Sequence, residues 1–343
     1  MPNVTLEEAK EVHGRMLIVD GHTDTPVEHI ARGENIDWEN RDPAYHMDIP
    51  RCKEGGYDAG FFIVGNGVVA DVRVTLQQTL ESIERFPDDL VLVSRSADIV
   101  NAHETGRIGV MPAIEGAEKW LNGHLEVLRM YHRLGVRALG ITHGEGGDEP
   151  TMLQGSRSPF GPCTAAEREN ERKNAKGLTD FGKAVLKESN RLRIVTDLAH
   201  INDKAFYELM DMTELPVTMT HTAAFSQCPH WRCLTDDQIR ALAQNGGVMG
   251  VAFVPSFVDT ENGTLERYVD HICYVADLVG IDHIAIGTDY DGMGSITPIV
   301  ENVSLLPTVT QEMMSRGMSE EDMAKVWGGN FMRLFQQTID TAA

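Results

Sequence analysis

MLIVDGHTDTP, residues 16–26, runs from four apolar residues into Asp20, His22 and Asp24, polar side chains spaced two apart. The apolar part reads as a buried strand and the polar part as its exit. Side chains two apart on an extended segment point to the same side, so the His22 imidazole and the Asp24 carboxylate can reach one cation together. The plain alternative is a surface turn after a strand. Donors at other strand ends decide between the two.

On both sides of this stretch, short β-branched or apolar runs alternate with longer segments of helical period, the pattern of βαβ units. Eight runs read as strands: Met16–Asp20, Ala59–Val64, Ile108–Ile114, Ala138–Thr142, Arg193–Leu198, Val217–Thr220, Val248–Phe253 and His283–Thr288. Amphipathic helices are expected at Val72–Arg85, Glu118–Leu134, Thr179–Arg191, Asp203–Met212, Thr235–Gln244 and Leu265–Val279, with a closing helix at Ser319–Gln337. Thr179, Asn202 and Thr235 stand where helix caps belong. Eight such units predict an α/β fold, a closed parallel (β/α)8 barrel occupying residues 1–343 as one domain. The longest irregular stretch, Gly144–Lys176, follows the fourth strand and is expected to form a lid or pocket wall over the barrel mouth.

Barrels of this kind build their sites where strands end. Here the third strand ends in Glu115, the fourth in His143, the fifth in His200, the sixth in His221 and the eighth in Asp289. Glu115 can bridge two cations held about 3.5–4 Å apart, or act as a carboxylate at the start of the helix near Glu118; the spacing leaves both open. His200 and His221 close adjacent strands, so their imidazoles can meet at one ion. Imidazole and carboxylate donors without thiolate suit Zn²⁺, with Mn²⁺, Co²⁺ or Fe²⁺ as alternatives. Asp289 can shuttle a proton at the strand terminus, and is preferred to Asp291 for its place there. Arg232, in the loop after His221, can hold a substrate carboxylate bidentately or make a surface ion pair.

A formal net charge of −22 excludes nucleic acid and anionic membrane surfaces as partners. No glycine-rich phosphate loop is visible, and no stretch is apolar enough to span a bilayer. The five cysteines, Cys52, Cys163, Cys228, Cys233 and Cys273, form no CxxC pair and read as reduced thiols. No secretion signal or lipid-anchor tail is apparent, so a cytoplasmic location is the expectation.

Taken in order, these motifs resemble the membrane (renal) dipeptidase family, including its bacterial members, over nearly the whole chain. The resembling pieces are Val19–Pro26, Ile114-Glu115-Gly116, Leu139–His143, Thr196–His200, Thr220–Ala223, Arg232 with Leu234–Ile239, Ile286–Gly292 and Trp327–Phe335. The resemblance implies a dipeptidase with two zinc ions on a TIM barrel of the metal-dependent hydrolase type. His22 and Asp24 would bind one ion, His200 and His221 the other, and Glu115 would bridge them. A hydroxide shared by the ions would attack the peptide bond. His143 would stabilise the oxyanion, Arg232 would take the C-terminal carboxylate, and Asp289 would relay the proton. Dipeptides, L-L and also L-D, are the implied substrates; a homodimer is compatible with this. A different binuclear amidohydrolase or lactonase is the alternative, but many of those bridge with a modified lysine where this chain has His143. Two departures bear on substrate choice. Phe253 and Val254 stand where the family has an aromatic residue with a hydroxyl, and the loop Gly144–Glu149 is unusually acidic.

Overall fold

The computed structural model describes residues 4–67, 71–144 and 152–340. Among them nine strands form one parallel sheet: β1 (Val19–Thr23), β2 (Ala59–Gly65), β3 (Leu90–Leu92), β4 (Ile108–Ile114), β5 (Ala138–Gly140), β6 (Val195–Asp197), β7 (Thr218–Thr222), β8 (Val248–Val251) and β9 (Ile284–Ile286). Eight follow each other in the order β1-β2-β4-β5-β6-β7-β8-β9, while β3 pairs with the first residues of β4, Ile108–Val110. The seam is drawn together by Asp24 N–H donating to Tyr290 O at 2.8 Å and Asp289 N–H donating to His22 O at 3.0 Å. The result is the expected (β/α)8 TIM barrel, nearly closed.

Alternation along β2 and β4 separates two apolar layers. Ala59, Phe61, Ile63, Met111 and Ala113 face the barrel interior with Phe331 and Phe335 from the last helix. Phe62, Val64, Val110 and Ile114 face the surrounding helices. Continuing the same period places Glu115 on the inner side. The interior is narrow because glycines converge on one carbonyl. A Cβ at Gly287 would lie 1.8 Å from Thr220 O, and one at Gly250 would lie 2.0 Å from it.

Strand registers shift between Asp20 and Thr23, between Ile63 and Gly65, and between Met219 and Thr222. Such irregularities re-aim side chains beside active sites, and these three flank His22, Asn66 and His221.

Most helices fall where the sequence places them, and Thr179, Asn202 and Thr235 all cap through their side chains. The differences have local causes. The first strand begins at Val19 and extends through Thr23, so His22 lies within it rather than after it. The helix expected over Glu118–Leu134 is two, Ala117–Leu121 and Leu125–Arg133. Asn122 and Gly123 between them adopt φ of 48° and 76°, a left-handed break that the apolar period runs straight across.

The stretch expected to be irregular carries a helix, Ala165–Asn174, opened by a Thr164–Glu167 capping box; it has almost no apolar stripe to reveal it. Glu145–Glu149 of the acidic loop lie outside the described residues. The closing helix contains a π turn at Lys325–Gly329. After that turn the Asn330 side-chain amide donates to Ile281 O and Ile284 O at 2.7 Å each, tying the last helix to the start of β9. No helix among the described residues is long and apolar enough to cross a membrane.

Gly287→Val would force side-chain atoms into the Thr220 carbonyl. The expected loss is about 3 kcal/mol of stability, read from the urea unfolding midpoint; an unchanged midpoint would contradict this packing.

Candidate metal centre

The strand exits deliver His22 and Asp24 from β1, Glu115 from β4, His200 from beyond β6 and His221 from β7, all buried. Their ligand atoms converge on Glu115. Its Oε1 lies 3.0 Å from His200 Nε2, 3.4 Å from His221 Nε2 and 3.9 Å from His22 Nε2. His22 Nε2 is 3.0 Å from Asp24 Oδ2, and His200 Nε2 is 3.2 Å from His221 Nε2. Three overlapping sets, His22–His221–Asp289, Glu115–His143–His200 and His22–Asp24–Glu115, each hold their donor atoms within 4.8 Å of one another.

Despite these approaches Glu115 Oε1 makes no hydrogen bond, and neither His22 Nδ1 nor His200 Nδ1 has a partner. A buried oxygen ringed by nitrogens without hydrogen bonds is a donor set for a cation, and the residue types fit a divalent metal.

Electrostatics agree. Burial pushes His200 down to about 3 and His221 well below the usual imidazole range, which is the neutral form that ligates. Burial alone would raise the Glu115 carboxyl, but His143, His200 and His22 around it hold it well below the ordinary value. Burial also opposes charge on His22, yet Glu115 and Asp24 lift it to about 10. Negative charge able to keep a proton there is equally able to hold a cation.

Behind the donors stands a layer of fixed partners. His221 Nδ1 lies 2.9 Å from Thr220 Oγ1, which donates to Asp197 Oδ2 at 2.6 Å. Thr220 therefore accepts from Nδ1–H, leaving the Nε2 lone pair to face Glu115. Asp20 takes the matching place at the seam, accepting from His22 N–H at 3.1 Å and from the Thr288 amide and hydroxyl at 2.8 Å each. The Asn66 side chain donates to Asp24 Oδ1 at 2.7 Å, leaving Oδ2 toward His22. Gly67 N–H donates to His143 Nδ1 at 3.2 Å, so His143 carries its hydrogen on Nε2, 3.6 Å from Glu115 Oε2. Glu118 accepts from His143 N–H and the Thr142 hydroxyl at 3.0 Å each. Gly292 makes room for paired carboxylates, since a Cβ there would lie 2.4 Å from Asp24 Oδ2 and 2.5 Å from Asp289 Oδ1.

These donors floor a cavity of about 380 Å³ that Arg232, Asp289, Phe160, Val254, Ser256 and Phe257 also line. Phe160 belongs to the long segment after β5, which thus contributes a pocket wall as expected. Asp289 Oδ1 is 3.9 Å from His22 Nε2, and burial lifts its carboxyl to about 8. Asp289 and His200 hold φ of 62° and 65°, a costly conformation for non-glycine residues that gathers at functional sites.

Asp291 is occupied differently. Its oxygens accept from the Thr25 hydroxyl at 2.5 Å and from His46 N–H at 2.9 Å, which makes it a fastener for the segment around His46. Arg232 is buried, donates to His221 O at 3.1 Å and stacks 5.1 Å from the Phe257 ring centre.

Every singled-out residue reaches the same mouth, and all five cysteines are free. His13 and His271 are held elsewhere, by Thr310 and Gly55 O and by Val258 O. Sequence reasoning missed Asn66, Gly67, Glu118, Thr220, Thr288 and Asp197. Asn66 follows β2 directly, so asking what ends every strand finds it. The rest act through backbone groups or another side chain, which spacing does not reveal.

A nearly closed parallel barrel with imidazoles and carboxylates gathered at its strand ends defines a metal-dependent enzyme of the (β/α)8 class. The sequence profile of the membrane dipeptidases, peptidase family M19, matches residues 6–343. The chain is 32% identical to dipeptidase aclJ of Aspergillus oryzae, over 95% of its own length and 79% of that protein. It is 29% identical to dipeptidase verJ of Clonostachys rogersoniana, over 98% and 88%. Among solved structures, a metallopeptidase from Rhodobacter sphaeroides liganded with a phosphinate mimic of the dipeptide L-Ala-D-Ala matches at TM-score 0.80 and 26% identity, covering 94% of this chain and 99% of that one. Dipeptidase AC, a metallopeptidase of family M19, matches at TM-score 0.84 and 26% identity, covering 95% and 99%. The chain belongs to the membrane dipeptidase family and is a metallodipeptidase.

Thr220→Val keeps the volume but removes the acceptor behind His221 Nδ1. Metal affinity should fall about 10–100-fold by competition titration; unchanged affinity would mean that Thr220 does not orient the ligand.

Proposed function

We propose that the chain, acting as one catalytic barrel, hydrolyses L-L and L-D dipeptides with two divalent cations, zinc foremost. His22 and Asp24 would hold one, His200 and His221 the other, with Glu115 between. The observation that carries this reading is Glu115 Oε1 within 3.9 Å of three imidazole nitrogens from three strand exits, with no hydrogen bond to any. When bound, such a pair supplies Lewis acidity and lowers the pKa of a shared water toward neutrality.

The chain's own residues do the rest. The His143 Nε2–H, fixed by the Gly67 amide behind it, donates where negative charge develops on the carbonyl oxygen. Asp289, on the cavity wall, takes the nucleophile's proton and returns it to the departing amine, in the ionised form that bound cations would favour against the burial that raises its carboxyl. Arg232 binds the C-terminal carboxylate, which limits substrates to peptides whose terminus lies one residue from the scissile bond. Phe253 is wholly buried and Val254 lines the cavity, so no aromatic hydroxyl assists Arg232 there. Among the described lining residues Ser256 supplies the one hydroxyl.

Chelation should abolish turnover of a dipeptide panel, and zinc should restore it as occupancy approaches two per chain; activity that survives complete removal of metal would refute the reading. Asp289→Asn should lower kcat by about 10²–10⁴-fold with metal content unchanged. Loss of metal in that variant, or undiminished turnover, would remove Asp289 from the proton relay.

A further inference from the structure

Arg168 lies on the helix Ala165–Asn174, a region in which the sequence shows no chemistry, yet its side chain is buried. Nε and Nη2 donate to Asp203 Oδ2 and Oδ1 at 2.8 Å each, and Nη2 also donates to Gln238 Oε1 at 3.0 Å. Nη1 donates to His230 O at 3.4 Å and to Cys233 O. All the hydrogens of the guanidinium are thereby engaged.

The two carbonyls bracket Arg232. The turn between them is pinned at other points: Arg232 N–H donates to His230 Nδ1 at 3.1 Å, and Arg232 O accepts from the Thr222 hydroxyl at 2.5 Å. The Arg232 guanidinium is steadied by His221 O and the Phe257 ring, and the backbone it departs from is a short turn that Arg168 grips on both sides.

We propose that Arg168 is a positioning residue that aims Arg232 at the substrate's C-terminal carboxylate, so that the segment after β5 governs selection for a free C-terminus. This rests on the reading that Arg232 binds that carboxylate. A buried Arg–Asp pair is a costly way merely to attach a helix, because well-packed apolar side chains do so as well or better. Hydrocarbon cannot donate to two carbonyls at a fixed separation. Lysine cannot either: its single nitrogen can stay with Asp203 but does not span to both carbonyls.

The test uses the metal-loaded enzyme with a dipeptide and with its C-terminal amide. Arg168→Lys should raise the dipeptide KM about tenfold while kcat and metal content hold. Turnover of the amide should not change, and rates below detection in both proteins count as unchanged. Asp203→Asn, which weakens the ion pair but leaves the carbonyl contacts, should lower Tm with KM kept.

Should Arg168→Lys fail to fold, Arg168→Met combined with Asp203→Leu removes the buried charge altogether and carries the same expectation. A dipeptide KM unaltered in the Arg168 variant would overturn the inference, as would an equal rise in Asp203→Asn. Arg232→Lys tells the two levels apart. If it leaves the dipeptide KM alone, the carboxylate reading itself fails; if it raises KM and Arg168→Lys does not, only the positioning role fails.

Discussion

The Glu115 carboxylate is cut off from solvent, with one oxygen surrounded by imidazole nitrogens at 3.0, 3.4 and 3.9 Å. Taking an ionised carboxylate out of water costs several kcal/mol unless compensating charge lies close by. The imidazoles of His143, His200 and His22 can supply that charge only by carrying protons, and a proton on the nitrogen that faces Glu115 takes the lone pair a ligand needs. The proposed cation pair would supply it and leave every donor in its ligand form. The rest of the architecture follows from keeping these groups together: four strand exits must meet over a barrel whose interior is narrow enough to bring them within ligand reach.

That narrowness is set by backbone. Gly250 and Gly287 let neighbouring strands crowd the Thr220 carbonyl, and the residue bearing that carbonyl orients His221 through its hydroxyl. Asp20 and Asp197 repeat one device, a buried strand carboxylate that accepts an amide and a hydroxyl from one threonine, Thr288 just beyond β9 for Asp20 and Thr220 on β7 for Asp197. Packing of the barrel and alignment of the donors are therefore one problem with one solution. Strain at His200 and Asp289 is tolerated because the surrounding strands over-determine their positions.

The sequence displays the parts of this that follow a period. Alternating apolar runs and helical segments define the barrel, and donors placed directly after those runs define the mouth; His22, Asp24, Glu115, His200 and His221 were legible on that basis. What stays hidden depends on contacts between distant segments. The short strand β3 pairs with β4 alone, and its apolar run Leu90–Val93, as long as the one that leads into β1, goes unread because it lies between two barrel strands without adding a strand end to the mouth. Asn122-Gly123 interrupts a helix without interrupting its apolar stripe. The helix carrying Arg168 is almost wholly polar because it docks through one buried guanidinium rather than an apolar face. Asp289 and Asp291, two residues apart with similar backbone, part company only when their neighbours are seen: one faces the donors, the other accepts from Thr25 and His46.

Anomalous scattering from crystals grown with zinc and recorded at the zinc edge tests the proposed pair of cations most directly. Two peaks about 3.5–4 Å apart, one on either side of the Glu115 carboxylate, are the predicted result. A single fully occupied peak, or peaks that leave Glu115 uncoordinated, would contradict it.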